Sequence, residues 1–200
     1  MEPAAGEPWS VKVGDGSFKL SGQVAVMALN ERILQSILEK NPSLAFGLEE
    51  SFPLKSTYPG ATTLGPIMEL RAPEGANADA MTADAATQSI AYWQTTARQL
   101  LSDPEAMDSD LVKKAYSKLI SSQANLFVFH DLSDQAEQAY RLALQICPYN
   151  PESTFGLIQL LMKQNRSQDA LGVAQTALRA DPKNQTFVEV VNQLQKSTAR

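Results

Sequence analysis

Two hundred residues, 44% hydrophobic and 20% charged, can bury a core as one medium domain or two small ones, which excludes general disorder. Seventeen basic against 22 acidic groups leave a net charge of −5 with no local basic patch to offset it, so a nucleic acid is not expected as partner. A single cysteine, Cys147, and a single histidine, His130, exclude an internal disulfide and a His/Cys metal site, and the longest apolar run, "VAVMAL" at 24–29, is far too short for direct membrane insertion.

The opening "MEPAAGEP" lacks the positive flank and apolar stretch of a signal peptide, which points to the cytoplasm if the chain is complete. "WSVKV" and "SFKL" alternate around "GDG" and predict a β-hairpin. Over 22–42 the apolar positions Val26, Leu29, Ile33, Leu34, Ile37 and Leu38 recur at helical spacing and end at Asn41-Pro42, as in an amphipathic helix. "LAFGLEE" at 44–50 and "GPIMELR" at 65–71 read as strands, with Pro53 and Pro59 stiffening the connection between them. Strand, helix, strand, loop, strand over 1–72 is the order of a small α/β unit, and 73–80 is a linker by composition.

The polar stretch "AFGLEESFPLKSTYPG" at 45–60 invites a catalytic reading that its spacing does not support. Consecutive Glu49 and Glu50 on a strand point to opposite faces and do not share a proton. Ser51 would need a base, and His130 sits on a helix of the other predicted domain, where the helix C-terminus explains it. Cys147 reads as a small packed hydrophobe, and Gly14, Gly16, Gly60 and Gly65 fit neither a phosphate loop nor a dinucleotide fingerprint. No enzyme activity and no cofactor is implied.

From 81 the texture becomes helical. Residues 81–103, with Ile90, Trp93, Ala97, Leu100 and Leu101 as an apolar stripe, and 108–123, with Leu111, Ala115, Tyr116 and Leu119, predict an irregular helical hairpin broken at 102–110 and N-capped by Ser109 or Asp110. "AEQAYRLALQICPYNPE" at 136–152 then aligns with "ALGVAQTALRADPKNQ" at 170–185 at an offset of 34: Ala136 with Ala170, Tyr140 with Ala174, Ala143 with Ala177, Pro148 with Pro182. The small side chains let a neighbouring helix approach, and each proline stops its helix. The same frame sets repeats at 117–150 and 151–184 with first helices at about 117–130 and 151–164, in which Gln123 and Thr154 are polar where apolar residues are expected. A capping helix follows at 185–197, apolar at Phe187, Val190, Val191 and Leu194. The overall expectation is an α+β chain, mainly α.

The small, large, small, proline spacing of residues 136–148 resembles the second helix of a tetratricopeptide repeat. That resemblance implies a non-catalytic module that binds another protein or a peptide on the concave face formed by the first helices. In this frame the groove residues are Lys118, Ser121, Asn125, Phe155, Gln159, Met162 and Glu189, in rows continued by Val128, Glu152 and Gln193. Ser121 stands where chaperone-binding repeats carry a lysine and Gly156 where they carry an asparagine, which argues against chaperone tails. A second resemblance rests on "AVMALNERILQSILEKN", "FGLEESFPL", "LGPIMEL" and "AYWQTTARQLLSDPE" in that order, which together are similar to the soluble C-terminal region of bacterial polytopic glycosyltransferase-type membrane proteins. It implies an extracytoplasmic (periplasmic) accessory domain whose catalytic part is absent from this chain.

Overall fold

The computed structural model describes residues 9–13, 16–20, 22–49, 55–71 and 81–198. The expected linker, together with Glu50, Ser51 and Pro53 of the polar stretch, lies outside the described residues. Strands β1 (Trp9–Val13) and β2 (Gly16–Leu20) pair antiparallel with Val13 opposite Gly16, as the alternation around the "GDG" turn predicts. Helix α1 (Gly22–Lys40) follows, then β3 (Ala45–Leu48), a 3-10 helix at Lys55–Gly60, β4 (Ala61–Leu64) and β5 (Ile67–Arg71).

The sheet order is β3-β5-β4, antiparallel throughout, so among the described residues the unit holds no parallel crossover. The sequence reading missed β4, whose "ATTL" carries one large apolar residue, and that residue, Leu64, is exposed. Two residues join β4 to β5, and the turn needs Gly65, whose φ of 58° is the left-handed conformation that glycine adopts without strain. Gly60 is fixed by a close approach, since a Cβ there would lie 2.5 Å from the Arg71 carbonyl oxygen. Helix α1 meets the core along one edge only: Leu38 is buried and Leu34 packs against the core, while Val26, Leu29, Ile33 and Ile37 stay exposed, against the expectation of one buried stripe.

The helical part begins with α2 (Ala83–Leu101), capped by Thr82, whose hydroxyl accepts from the Ala85 N–H at 3.1 Å. Asp103 caps the short α3 (Pro104–Asp108), with Pro104 at the first helical position where its missing N–H costs nothing. Ser109 then caps α4 (Asp110–Phe129). The expected second arm of a hairpin and the expected first helix of the first repeat are this one 20-residue helix. After it come α5 (Ser133–Ile146), α6 (Pro151–Lys163), α7 (Ser167–Ala180) and α8 (Gln185–Thr198). The chain is α+β and mainly α, and one cluster of buried residues runs from Leu38, Met68 and Leu70 of the N-terminal unit to Val191 and Leu194 of α8.

The 34-residue offset recurs in the backbone. Asp131 and Asn165 adopt φ of 57° and 60° at the α4–α5 and α6–α7 turns, and the next N–H in each, Leu132 and Arg166, bonds the Phe127 and Leu161 carbonyls at 2.9 Å. At the helix ends Cys147 N–H bonds the Ala143 carbonyl and Asp181 N–H the Ala177 carbonyl, again both at 2.9 Å. The aligned faces Ala136, Tyr140, Ala143 and Ala170, Ala174, Ala177 are buried as expected.

The two polar departures resolve differently. Thr154 is buried and returns its hydroxyl hydrogen to the Asn150 carbonyl at 2.8 Å. Gln123 is a junction. Its Oε1 accepts from Trp93 Nε1 at 2.9 Å and from the Ser89 hydroxyl, and its Nε2 donates to the Gly65 and Ile67 carbonyls at 2.9 and 3.3 Å. All four valences of the carboxamide are filled, and α2, α4 and the β4–β5 turn are locked together. Replacing Gln123 by alanine strands the buried indole N–H in the core and takes the shared donor from the half-buried Gly65 and Ile67 carbonyls. Urea unfolding is expected to show a loss of about 3 kcal/mol, whereas a loss under about 0.5 kcal/mol, the surface-substitution range, would show that the junction is dispensable.

Candidate functional site

Helices α4, α6 and α8 stand in a row and carry the predicted groove. The Asn125 amide donates to Glu152 Oε1 at 3.2 Å from α4 to α6, and the Phe155 and Phe187 rings, centroids 5.8 Å apart, join α6 to α8. Of the seven groove residues, Lys118, Gln159 and Glu189 are exposed, and Asn125, Phe155 and Met162 are half-buried. Ser121 is not a groove residue. Its side chain is wholly buried, donates to the Ser117 carbonyl at 2.7 Å and bonds the Ser153 hydroxyl between α4 and α6, so no ligand reaches it. In the flanking rows Glu152 and Gln193 are exposed and Val128 is half-buried.

Asn125 is held from behind. The buried Tyr140 hydroxyl donates to its Oδ1, which orients the amide toward Glu152. Burial, with the nearby Glu152 charge, pushes the Tyr140 phenol well above its ordinary value and keeps it a donor. The ring occupies the space a side chain at 156 would need, since a Cβ on Gly156 would come within 2.6 Å of it.

The groups weighed for chemistry are dispersed. Glu49 is exposed just past β3. His130 ends α4, and its Nε2 lies 3.2 Å from the Tyr58 carbonyl. Cys147 is buried, and burial pushes its thiol up, which disfavours the reactive thiolate. Among the described residues no group of three His, Cys, Asp or Glu side chains is placed to hold a metal ion, and no helix is long and apolar enough to cross a membrane.

Sequence reasoning missed a second concavity. On the side formed by the second helices, α5 and α7 stand apart over Leu157 of α6 and leave a cleft of about 760 Å³. Arg141, Arg166 and Arg179 line it, with Gln145, Gln168, Gln175 and Thr176 between them and Leu144, Gly172 and Val173 beneath. Arg166 closes one end: its Nη1 and Nη2 grip Glu137 at 2.6 and 3.2 Å, and its Nε bonds Asp169 at 2.8 Å. Arg141 shares Glu137 through Nη2 at 2.8 Å. The signal was present in the helical spacing of 141, 145 and 148 and of 168, 172, 175 and 179, but arginines and glutamines at such spacing also read as a solvated face. Among known proteins, no family model and no curated protein matches the chain.

Two outcomes follow. Because the half-buried Phe155 ring packs at a tilt against the Phe187 ring, Phe155→Ala should lower stability by about 2 kcal/mol in urea unfolding, below the range for a fully buried phenylalanine, and a change below about 0.5 kcal/mol would mark it as a surface residue. The Arg166 guanidinium holds the Glu137 carboxylate below the usual range. The folded protein therefore keeps Glu137 ionised to lower pH than the unfolded chain, and the stabilisation is complete above the ordinary range and lost as pH falls through the lowered value. Glu137→Gln should be less stable than the parent at pH 7, with the gap closing below about pH 4; a gap independent of pH would show that charge is not its source.

Proposed function

We propose that the chain is a non-catalytic protein-binding module, related to tetratricopeptide proteins, that holds an extended peptide segment of a partner protein across α4, α6 and α8. The observation that carries this reading is a row of carboxamides at the 34-residue period, Asn125, Gln159 and Gln193, half-buried on the first helix and exposed on the next two. A carboxamide donates and accepts at once, as a peptide group does, so it bonds an extended main chain with little regard for side chains. Helices pack with axes about 10 Å apart, close to the span of three extended residues, which brings successive carboxamides to every third peptide group. Lys118 and Glu152 flank the row at one border, and Val128 and Met162 supply half-buried apolar contact at the other. Asn125 is already fixed by Tyr140, so its amide spends little conformational entropy on binding.

The test removes the exposed carboxamides together. Gln159→Ala with Gln193→Ala should leave stability within about 0.5 kcal/mol of the parent, as exposed substitutions do. In affinity capture from the native host, proteins retained by the parent should be lost by at least about ten-fold on the double variant and kept by a Lys163→Ala control on the same helix. Equal capture by the parent and the double variant would remove this row from the interface.

A further inference from the structure

We propose that the cleft between α5 and α7 is a second binding site, for an acidic extended peptide, independent of the carboxamide row.

Its charge balance is the first argument. Two acids, Glu137 and Asp169, face three arginines, Arg141, Arg166 and Arg179. Arg166 is consumed by both acids and by Gln164, whose Oε1 accepts from Nη1 at 3.0 Å. Arg141 gives Nε and Nη2 to Glu137, at 2.9 and 2.8 Å. Arg179 meets only a neutral partner: its Nη2 donates to the Thr176 hydroxyl at 2.9 Å, and no carboxylate among the described residues pairs with it. The cleft is thus one positive charge in surplus on a chain of net charge −5, a local field opposite to that of the whole molecule. A guanidinium in this state offers a carboxylate a two-pronged, charge-assisted bond.

Shape is the second argument. Gln168, Gly172, Gln175 and Arg179 fall on one face of α7, with eleven residue steps from first to last, about 16 Å of helix, the length of five extended residues. Gly172 lies inside α7, where glycine weakens a helix, yet a Cβ there would find nothing within 4 Å. No packed neighbour requires the missing side chain, and its absence opens the wall beside Leu144 and Val173 to one apolar side chain of a ligand. Gln145, Gln168 and Gln175 stand where they can bond the ligand's main chain. A peptide with a glutamate toward Arg179 and a leucine over Gly172 satisfies each of these features. A nucleic acid does not, because a single surplus cation releases too few counterions to hold a phosphate backbone.

The experiment uses fluorescence anisotropy of the full chain with a labelled octapeptide of alternating glutamate and leucine, its lysine counterpart, and a labelled twelve-base single-stranded oligonucleotide. The glutamate peptide should bind at least about ten-fold tighter than either control, and weaken as salt rises. Arg179→Ala should cost about ten-fold, as for one charge-assisted pair. Gly172→Leu should abolish binding with a melting temperature at or above that of the parent, since leucine favours the helix and fills only open space. Gln159→Ala with Gln193→Ala should leave this binding unchanged, which separates the cleft from the opposite face. The proposal is overturned if the glutamate peptide fails to bind, if Gly172→Leu binds as the parent does, or if the oligonucleotide competes equally.

Discussion

The architecture depends on one neutral side chain. Helices α4 to α7 stack by repetition on their neighbours, but a short array leaves its first face open, and the chain must close it with elements that do not repeat. Gln123 makes that closure. A carboxamide has two donor and two acceptor positions, and here Trp93, Ser89, Gly65 and Ile67 take all four in the interior. Because Trp93 and Ser89 are also buried, moving α2 by an ångström breaks a bond that no water replaces, and the half-buried Gly65 and Ile67 carbonyls tie the β4–β5 turn to the same side chain. An apolar residue at 123 would bury as much surface but would fix neither the angle of the indole nor the position of the turn.

The two interfaces between first helices show how the repeat tolerates divergence. Ser121 meets Ser153 between α4 and α6, and 34 residues later Phe155 meets Phe187 between α6 and α8. The second helices run the other way: Tyr140 beside Gly156 in the first interface becomes Ala174 in the second, where Val190 stands in place of glycine. Small hydroxyls pair with a large phenol, and large rings with a small methyl. The volume filling each layer is redistributed among matched positions, serine for phenylalanine on the first helices and tyrosine for alanine on the second. The exchange also decides exposure. The phenol needed to fill the first layer is what fixes the Asn125 amide, whereas in the second layer the rings do the filling and Gln159 is left to solvent.

This explains which parts of the fold were legible in the sequence. Prolines, small residues and the offset of 34 marked the second helices, because a helix stop and a close helix approach each demand a residue type. The hairpin and α1 were visible for the same reason. Helix α4 was misread because half of its buried residues are polar: Ser117, Ser121, Ser122 and Gln123 are buried beside Ile120, Ala124, Leu126 and Phe127, while Leu111 is 79% exposed and Ala115 is exposed too. Ser121 satisfies itself on the preceding turn, the Ser117 hydroxyl is buried without a hydrogen-bond partner among the described residues, and Gln123 is satisfied on three other segments, none of which has a periodicity. Strand β4 escaped because its partner, β5, and not its own composition makes it a strand. Of the groove residues, those on the outward rows could be placed by counting, but Ser121 could not, because its burial depends on a residue 32 positions away.

The two faces of the array differ in chemistry because they differ in what holds them together. Along α4, α6 and α8 the layers are closed by hydroxyls and rings, and the outer rows carry neutral amides and single charged side chains. Between α5 and α7 the closure is ionic. Arg166, at the left-handed turn that ends α6, reaches back to Glu137 on α5 and forward to Asp169 on α7, and so sets the separation of the two helices. An ionic strut with polar side chains stands longer than an apolar contact, and it leaves a gap over Leu157 where small residues would have brought the helices together. The cleft and its surplus of positive charge therefore have one origin. The arginine that spaces α5 from α7 uses up both acids within reach, and whatever cation lies further along the wall, here Arg179, is left facing open space with a neutral partner.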